Sequence, residues 1–335
     1  MNYVKLGNTG VEVSRICLGC MSFGLPGTEH GDFPWARDFD SAKPIFKKAV
    51  DLGINYFDTA NVYQYGTSEE ITGRLIREFG LDRDDIVVAT KVRFDMRKDR
   101  PNGGGLSRKE IFAEIDKSLK RLGMDYVDLY QIHRPDLAVP FEETMEALND
   151  VVKSGRALYI GASTMYAWQF QKMQNIAEKH GWVKFVSMQN HYNLMYREEE
   201  REMIPFCQDQ HIALVPWSPL AGGRLAHPRG TKTKRNSMDA ISPAVWDRNE
   251  HLDRAIIDNL QNVAAKRGVS MAQEALAWML SKPFITAPIV GTTDPKHVEE
   301  AVSALNITLD EEEIRALEAP YQPHPVTDDH GFMVF

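Results

Sequence analysis

The feature that constrains this chain most is a repeated alternation between short apolar stretches and longer amphipathic ones. Eight strand-then-helix units can be counted along the 335 residues. Runs such as IVVAT and HIALVPW are typical of strands in a parallel sheet that is covered on both faces. Eight such units favour closure into a barrel over an open sheet. The sequence therefore predicts an α/β fold, a (β/α)8 TIM barrel, in a single domain that covers 1–335.

The predicted elements follow from hydrophobic period and from turn residues. After a first strand in RICLGCMSFG, we expect strands at 54–58, 86–90, 127–132, 157–162, 185–189, 212–217 and 285–290. We expect helices near 41–52, from Ser68 onward, and at 107–122, 141–154, 166–179, 198–209, 271–281 and 295–304, with an extra helix at 251–266. Residues 3–14 predict an N-terminal β-hairpin that plugs one end of the barrel. The long loop 218–249, after strand 7, and the C-terminal tail after Pro320 are expected over the mouth.

Composition excludes several classes of function. The net charge is −8, from 47 acidic and 39 basic residues, and this offers no broad basic surface to nucleic acid. The basic cluster at 228–235 is either a solvated loop or a contact for one phosphate group. The chain has no apolar run of membrane length and opens without a secretory signal, and its three cysteines give no disulfide framework. We therefore expect a cytoplasmic protein with no membrane partner, whose oligomeric state the sequence leaves open.

Four polar residues cluster at or just after the ends of successive predicted strands. Asp58 ends the apolar stretch GINYFDTA, Lys91 ends DIVVATK, and His133 ends YVDLYQIH. Tyr63 follows Asp58 in the loop NVYQYG. In a parallel barrel the carboxyl ends of the strands surround one mouth, where active sites are built. Each residue alone is more often structural than catalytic, but their joint placement predicts a catalytic group.

The chemistry of these residues suits the reduction of a carbonyl group, which needs a hydride on carbon and a proton on oxygen. Tyr63 is the predicted proton donor, although a free phenol has a pKa of about 10. The Lys91 ammonium is expected to lower that pKa, and Asp58 is expected to hold the lysine in place. His133 is expected to orient the carbonyl oxygen or to share the proton transfer.

A nicotinamide coenzyme would have to bind without the usual dinucleotide motif, because no GxGxxG follows any strand. Trp217 offers a flat face for stacking, and the small residues at 218–223 allow backbone N–H groups to approach a pyrophosphate. Gly291 and the following residues open a helix whose N-terminus can receive an anion. The CxxC pair Cys17 and Cys20 lies in a strand without other metal-ligand spacing, so buried structural thiols, and no metal site, are expected.

Several motifs, found in order, resemble the aldo-keto reductase superfamily over nearly the whole chain: GINYFDTANVYQYGTSEE, VVATK, LYQIHRPD, GRALYIGAS, SMQNHYNLMYR and PWSPLAGGRL. The similarity is greatest to the branch that includes aryl-alcohol dehydrogenases and versiconal hemiacetal acetate reductase. This resemblance implies a carbonyl reductase that uses NADPH, with NADH less favoured, and a small-molecule carbonyl substrate. It also implies that the catalytic tetrad is Asp58, Tyr63, Lys91 and His133.

The resemblance further implies which residues hold the coenzyme. By position they are Cys20, Met21, Asp58, Ser163, Gln189, Trp217, Ser218, Pro219, Leu220, Gly222, Gly223, Gly291, Thr293, His297 and Glu300. Thr164 stands where the family has an Asn beside the nicotinamide carboxamide. His297 stands where many members have a residue for the 2′-phosphate, and Lys296 lies beside it. Further positive charge is available from the long loop, at Arg229, Lys232 and Arg235.

The expected substrate pocket is lined by Phe23, Trp35, Tyr65, Arg93 and Phe94 together with the tail. Aromatic walls over a polar tetrad favour an aldehyde or ketone with an apolar or aryl body. An alternative to the enzyme is a slow-turnover, NADPH-binding regulatory subunit that senses redox state. A barrel hydrolase ranks last, because it needs opposed carboxylates and Asp58 is the one strand-end residue that fits.

Overall fold

The structure, a computed structural model, describes residues 1–25, 33–231, 238 and 249–326. Its centre is an eight-stranded parallel sheet in the order β10-β3-β4-β5-β6-β7-β8-β9. The strands are β3 Cys17–Gly19, β4 Tyr56–Asp58, β5 Val87–Val92, β6 Val127–Ile132, β7 Ala157–Ser163, β8 Phe185–Gln189, β9 Ala213–Leu214 and β10 Ile289–Gly291. Apart from the crossover from β10 to β3, each strand pairs with its neighbour in sequence, as the predicted barrel requires.

Hydrogen bonds between the last two strand regions close the sheet. Leu214 forms a parallel bridge with Ile285, and its carbonyl accepts from the Thr286 backbone N–H at 2.9 Å. Further along, the Ile289 N–H donates to the Pro216 carbonyl at 2.9 Å. Ordinary ladder bonds therefore join the two ends of the strand order, and the eight-stranded barrel predicted from the sequence is confirmed.

Helices follow the strands and cover the outside of the barrel. They are α1 Phe39–Asp51, α2 Thr67–Glu78, α3 Arg108–Leu122, α4 Phe141–Lys153, α5 Ala167–His180, α6 Met203–Asp209, α7 Glu250–Arg267, α8 Met271–Leu280, α9 Pro295–Ser303 and α10 Glu311–Glu318. Side-chain caps set several starts: Ser107 accepts from the Glu110 N–H ahead of α3, and Asp294 accepts from the Lys296 N–H ahead of α9. Among the described helices, none combines the length and the low polarity that a bilayer crossing demands.

Two apolar layers pack against the strands, one outside the barrel and one inside it. The larger lies between the sheet and the helices, and the smaller fills the amino-terminal end of the barrel with the first residues of the strands, such as Tyr56 and Val87. Strands β1 Tyr3–Lys5 and β2 Glu12–Ser14 form the predicted hairpin. Its Leu6 and Val13 are fully buried in the inner layer, so the hairpin closes the floor of the barrel.

The two cysteines of the CxxC pair belong to different layers. Cys17 lies in the inner layer and Cys20 in the outer one, and both are fully buried. Burial raises the pKa of both thiols, to about 12 for Cys20. Within the described residues no cluster of His, Cys, Asp or Glu has the composition of a metal site.

Three predicted elements are shorter or more broken than expected. The helix predicted at 198–209 divides into a 3-10 turn, Glu198–Glu200, and α6, because Pro205 lacks the N–H that a continuous helix would need at that position. The strands predicted at 212–217 and 285–290 are reduced to β9 and β10. Pro216 and Pro288 remove ladder donors from these two segments.

The two segments expected over the mouth are described in part. Residues 321–326 of the tail contact the loop after β8, where the Tyr321 hydroxyl donates to Glu198 Oε1 at 2.6 Å and the His324 N–H donates to the same oxygen at 2.9 Å. This contact places the described part of the tail on the mouth side of the barrel. In the long loop, positions 232–237 and 239–248, and with them Lys232 and Arg235, lie outside the described residues, as does the tail after Val326.

Candidate active site

Strand alternation determines which side chains point into the mouth. In β5 the side chains of Val87 and Ala89 belong to the inner layer, and Lys91 follows two residues later on the same face. In β6, Leu129 belongs to the inner layer, and two further steps of two residues reach Gln131 and then His133. The barrel interior is therefore apolar at its floor and polar at its carboxyl end.

Asp58, Lys91 and Tyr63 form a continuous chain of contacts. The Lys91 ammonium, fully buried, forms an ion pair with Asp58 Oδ1. It also donates to the Thr59 carbonyl at 2.9 Å and to the Tyr63 hydroxyl at 3.2 Å. The ammonium thus uses its three protons on three oxygens, one of which is the proposed acid. The structure brings together the residues that the sequence predicted would converge.

The loop that carries Tyr63 has a strained backbone. Gln64 and Tyr65 both adopt left-handed conformations, with φ values of 47° and 51°. Such conformations cost about 1 kcal/mol or more for residues other than glycine, and they persist where the surroundings enforce them. The side-chain amide of Gln64 donates to the Phe33 carbonyl at 3.1 Å, which helps to hold this turn.

Burial and charge oppose each other at the phenol. Burial raises the pKa of Tyr63, and the nearby Lys91 ammonium lowers it, with burial the larger effect. The net shift is upward, so the expected lowering by Lys91 is present but does not prevail. At Lys91 itself burial lowers the pKa, but Asp58 and Tyr63 outweigh it and the net pKa is raised. The pair is therefore an ammonium next to a protonated phenol at neutral pH.

His133 is held as a neutral imidazole. Burial, followed by the positive charges of Lys91, Arg134 and Arg93, places the pKa of His133 well below its usual 6.5. The ring meets Tyr63 edge to face, with ring centres 5.6 Å apart, and contacts Phe94 at 4.8 Å. Its Nδ1 is buried without a hydrogen-bond partner among the residues that the structure describes. An unpartnered polar atom in this position is suited to a group on a bound ligand.

Gln131 is a site residue that motif reasoning did not single out. Its side-chain amide donates to Asp58 Oδ2 at 2.9 Å, and the amide of Gln189 donates to the same oxygen at 2.9 Å. Gln189 also donates to Gln131 Oε1 at 3.2 Å. A signal for Gln131 existed in the sequence, since a residue two positions before His133 in the same strand must face the same way.

The residues assigned to the nicotinamide carboxamide lie side by side. Ser163 ends β7 opposite Gln189, which ends β8. The Ser163 and Thr164 hydroxyl oxygens are 3.4 Å apart, and the indole N–H of Trp217 donates to Thr164 Oγ1 at 2.8 Å. The Thr164 hydroxyl therefore orients the predicted stacking ring, and its contact with the nicotinamide carboxamide stays a prediction.

Two stacked rings support Trp217 from one side. His191 lies parallel to Trp217, with ring centres 4.2 Å apart and planes 11° apart. Tyr196 lies on the opposite face of His191 at 4.3 Å, with planes 10° apart. Burial lowers the pKa of His191 to about 3, so this middle ring is neutral. His191 and Tyr196 were not singled out in the sequence, because their approach to Trp217 depends on how the loops fold.

The turn after Trp217 has the form of a ligand cradle. Ser218, Gly222 and Gly223 have φ values of 51°, 63° and 97°. Around Gly223 an added Cβ would meet no atom within 4 Å, so space is open beside its backbone. Asn193 donates to the Ser218 carbonyl at 3.0 Å and fixes the start of the turn. Pro219 and Leu220 complete the segment, whose small residues and outward backbone fit a pyrophosphate.

The residues predicted for the adenosine end lie at β10 and α9. Gly291 ends β10 with an exposed backbone, and Thr293 lies just before the N-terminus of α9. His297 is exposed and its Nδ1 is 2.9 Å from Thr292 Oγ1. Glu300 instead accepts from the hydroxyl of Ser270, the cap of α8. The role of Glu300 toward a coenzyme stays a prediction.

Two further coenzyme candidates lie at the end of β3. Cys20 is fully buried, and its carbonyl accepts from the Ser68 hydroxyl at 2.7 Å. Met21 is partly exposed in the same 3-10 turn. Of the two, Met21 has the surface that a ligand could contact.

The predicted substrate residues divide into two groups. Phe94 and Arg93 are partly exposed beside His133, and the Arg93 guanidinium carbon is 5.5 Å from the Phe94 ring centre. Tyr65 is partly exposed in the strained loop after Tyr63. The second group is enclosed: Phe23 is fully buried in the outer apolar layer and Trp35 is 5% exposed. Contact of either with a substrate stays a prediction.

Comparison with known proteins identifies the family of this chain. The aldo/keto reductase family model matches residues 15–322. The versiconal hemiacetal acetate reductase of Aspergillus parasiticus is 44% identical over 344 residues, which cover 97% of this chain and 98% of that protein.

Two yeast relatives are named as aryl-alcohol dehydrogenases. One from Schizosaccharomyces pombe is 44% identical, with 97% of each chain covered. One from Saccharomyces cerevisiae is 41% identical, with 96% of this chain and 97% of that protein covered. The chain therefore belongs to the aldo-keto reductase family and is an oxidoreductase that acts on carbonyl and alcohol groups.

Proposed function

We propose that this protein reduces aldehydes or ketones to alcohols with NADPH as the hydride donor, in a reaction that can also run toward alcohol oxidation. The observation that carries the proposal is the chain of contacts from the buried Asp58 and Lys91 to the hydroxyl of the half-buried Tyr63, next to a neutral His133. This is a proton donor, with a cation beside it, at the mouth of a barrel that offers a place for a flat ring on Trp217.

Each residue has a distinct task in this mechanism. When bound, the coenzyme supplies a hydride to the carbonyl carbon. Tyr63 gives its hydroxyl proton to the carbonyl oxygen, and Lys91 stabilises the phenolate that remains. Asp58 keeps the ammonium in place. His133 stays neutral and donates a hydrogen bond to the carbonyl oxygen, which fixes the position of the substrate.

The choice of NADPH over NADH rests on positive charge near the adenosine end. Lys296 and His297 are exposed at the start of α9. Arg229 is exposed as well and pairs with Asp258 at 3.1 Å. An exposed ion pair of this kind contributes about 0–1 kcal/mol, so a 2′-phosphate can draw the guanidinium away at little cost. The two cations Lys296 and Arg229 support a site for that phosphate.

The proposed substrates are aryl or apolar carbonyl compounds. Phe94 and Tyr65 present aromatic surface beside the tetrad, and an apolar wall with few polar groups suits such ligands. The names of the relatives agree in part, since two of them are named for aryl alcohols.

The test begins with wild-type turnover and continues with Tyr63→Phe. Aryl and alkyl aldehydes are compared with NADPH and with NADH, and we expect sustained turnover, highest with NADPH and an aryl aldehyde. Tyr63→Phe should lower kcat by about 10²–10⁴-fold, because the proton donor is gone. Coenzyme binding, followed by quenching of tryptophan fluorescence, should be retained.

The matched control is Tyr126→Phe, at a tyrosine just before β6 and far from the mouth, and it should turn over like wild type. Near-normal turnover by Tyr63→Phe would exclude Tyr63 as the acid. Tight NADPH binding with negligible wild-type turnover would instead favour the slow regulatory subunit.

A further inference from the structure

We infer that Gln131 is a positioning residue that keeps the Asp58 carboxylate partnered and oriented while Gln189 turns to hold the coenzyme. The inference rests on the proposed function, because it assigns Gln189 to the nicotinamide carboxamide. In this inference, the amide of Gln131 links coenzyme binding to the Asp58–Lys91 ion pair.

The hydrogen bonds of Asp58 show why such a residue is needed. Asp58 is 2% exposed, and its Oδ1 is occupied by Lys91. Its other oxygen, Oδ2, accepts from Gln131 and from Gln189, each at 2.9 Å. A buried carboxylate oxygen without a donor is costly, so at least one of these amides must stay in place.

Gln189 cannot keep both of its present hydrogen bonds and also donate one to a coenzyme. Its NH2 group has two protons, and the structure uses them on Asp58 Oδ2 and on Gln131 Oε1. A bond donated by this NH2 group to a carboxamide oxygen must therefore release one of the two, and in our inference the bond released is the one to Asp58 Oδ2. Gln131 then remains as the donor that keeps Asp58 Oδ2 satisfied.

The surroundings of Gln131 fix its side chain. Gln131 is fully buried, and it lies between Lys91 on β5 and Gly161 on β7 in the registers of the sheet. A Cβ at position 161 would come within 3.1 Å of Gln131 Cγ and 2.5 Å of Ser187 Oγ. The missing side chain at Gly161 leaves the room that the glutamine occupies, and this geometry holds its amide toward Asp58.

The consequence for catalysis follows from charge balance. Without the hydrogen bond from Gln131, the Asp58 carboxylate would interact more strongly with Lys91. It would then neutralise more of the positive charge of the Lys91 ammonium. Lys91 would then lower the pKa of Tyr63 less than it does now, since the lysine is what opposes burial there. Alcohol oxidation needs Tyr63 without its proton. The pH range in which the enzyme oxidises alcohols should therefore move upward.

The experiment compares Gln131→Leu with wild type in both reaction directions. We expect kcat for aldehyde reduction to fall about tenfold, and the rising limb of the oxidation profile to shift upward by about half a pH unit or more. The dissociation constant of NADPH should rise several-fold, because Gln189 can no longer leave Asp58. Gln131→Glu should be still less active at neutral pH and should partly recover at low pH, where a protonated carboxyl can again donate to Asp58.

Gln174→Leu is the matched control. Gln174 is 6% exposed on α5, and its amide makes two hydrogen bonds to the backbone of Phe185, outside the mouth. It should lose stability without a change in either pH profile. If the profiles and NADPH affinities of both Gln131 variants match wild type, the inference is overturned. Wild-type protein with neither NADPH turnover nor fluorescence quenching would remove the proposed function, and this inference with it.

Discussion

At the scale of single residues, Lys91 and Asp58 depend on each other for stability as well as for chemistry. Both are buried in the barrel, 0% and 2% exposed. A buried ion pair adds little net stability, but removal of one partner leaves the other charge without compensation. The ion pair matters for a second reason here, because the Lys91 ammonium also donates a hydrogen bond to Tyr63.

Lys91→Met should therefore destabilise the protein by about 3–5 kcal/mol, since it leaves a buried carboxylate beside an apolar chain. The double variant Lys91→Met/Asp58→Asn should recover part of that loss, because the uncompensated charge is removed. Denaturation by urea measures the free energy of unfolding of both variants. Equal stability of wild type and Lys91→Met would contradict the dependence of Asp58 on Lys91. Neither variant should reduce aldehydes at an appreciable rate.

At the scale of elements, the tail segment 321–326 is held to the barrel by two carboxylates. Glu198, in the loop after β8, accepts from the Tyr321 hydroxyl and from the His324 N–H. His324 Nε2 is 2.9 Å from Asp253 Oδ1 on α7. Burial alone would lower the pKa of His324, but Asp253 outweighs it and the net pKa is raised above 6.5. Burial in turn raises the pKa of Asp253.

The sign of the pH dependence follows from the histidine. A folded-state pKa above the unfolded value means that the stabilisation is complete below the unfolded value of about 6.5 and is lost as pH rises through the folded value. We expect His324→Phe to accelerate hydrogen exchange in 321–326 relative to wild type at about pH 6, with the difference shrinking at alkaline pH. Mass spectrometry of the peptide 321–326 gives the ratio of the exchange rates of the variant and of wild type at each pH. A ratio that stays constant with pH would show that the charge on His324 does not hold the tail.

At the scale of the whole molecule, one arginine joins the start of the barrel to its closing strand. Arg15, between β2 and β3, donates to the Leu280 carbonyl at 3.0 Å, to the Thr286 carbonyl at 3.3 Å and to the Ile285 carbonyl. These carbonyls lie between the end of α8 and β10, where prolines have shortened the ladder. The guanidinium replaces part of the missing backbone pairing.

Arg15→Met should lower the stability of the barrel by about 3 kcal/mol or more, because a hydrogen bond from a charged donor contributes about 1.5–3 kcal/mol and the three bonds of one guanidinium are not additive. The control is Arg254→Met on α7, whose exposed ion pair with Glu250 at 3.3 Å should contribute about 0–1 kcal/mol. Thermal unfolding compares the two. Equal shifts in Tm would show that Arg15 has no special part in closure.

The barrel, the floor hairpin and the convergence of four polar residues could all be predicted from the sequence; the four are Asp58, Tyr63, Lys91 and His133. These follow from local rules, since strand alternation decides which side chains point inward and parallel strands end at one mouth. The broken helix at Glu198 and the shortened strands at Pro216 and Pro288 were missed, although the prolines that cause them are visible.

The hydrogen-bond partners of the site residues and the direction of their pKa shifts depend on the three-dimensional packing and could not be predicted. Gln131, Gln189 and Asp58 meet across separations of 73 and 131 residues, and no local pattern encodes which amide reaches which oxygen. The net pKa shift of Tyr63 is upward because burial, a property of the whole fold, exceeds the effect of the neighbouring Lys91 that the sequence indicated. Local periodicity fixes the direction in which a side chain points, and three-dimensional packing fixes what it meets there.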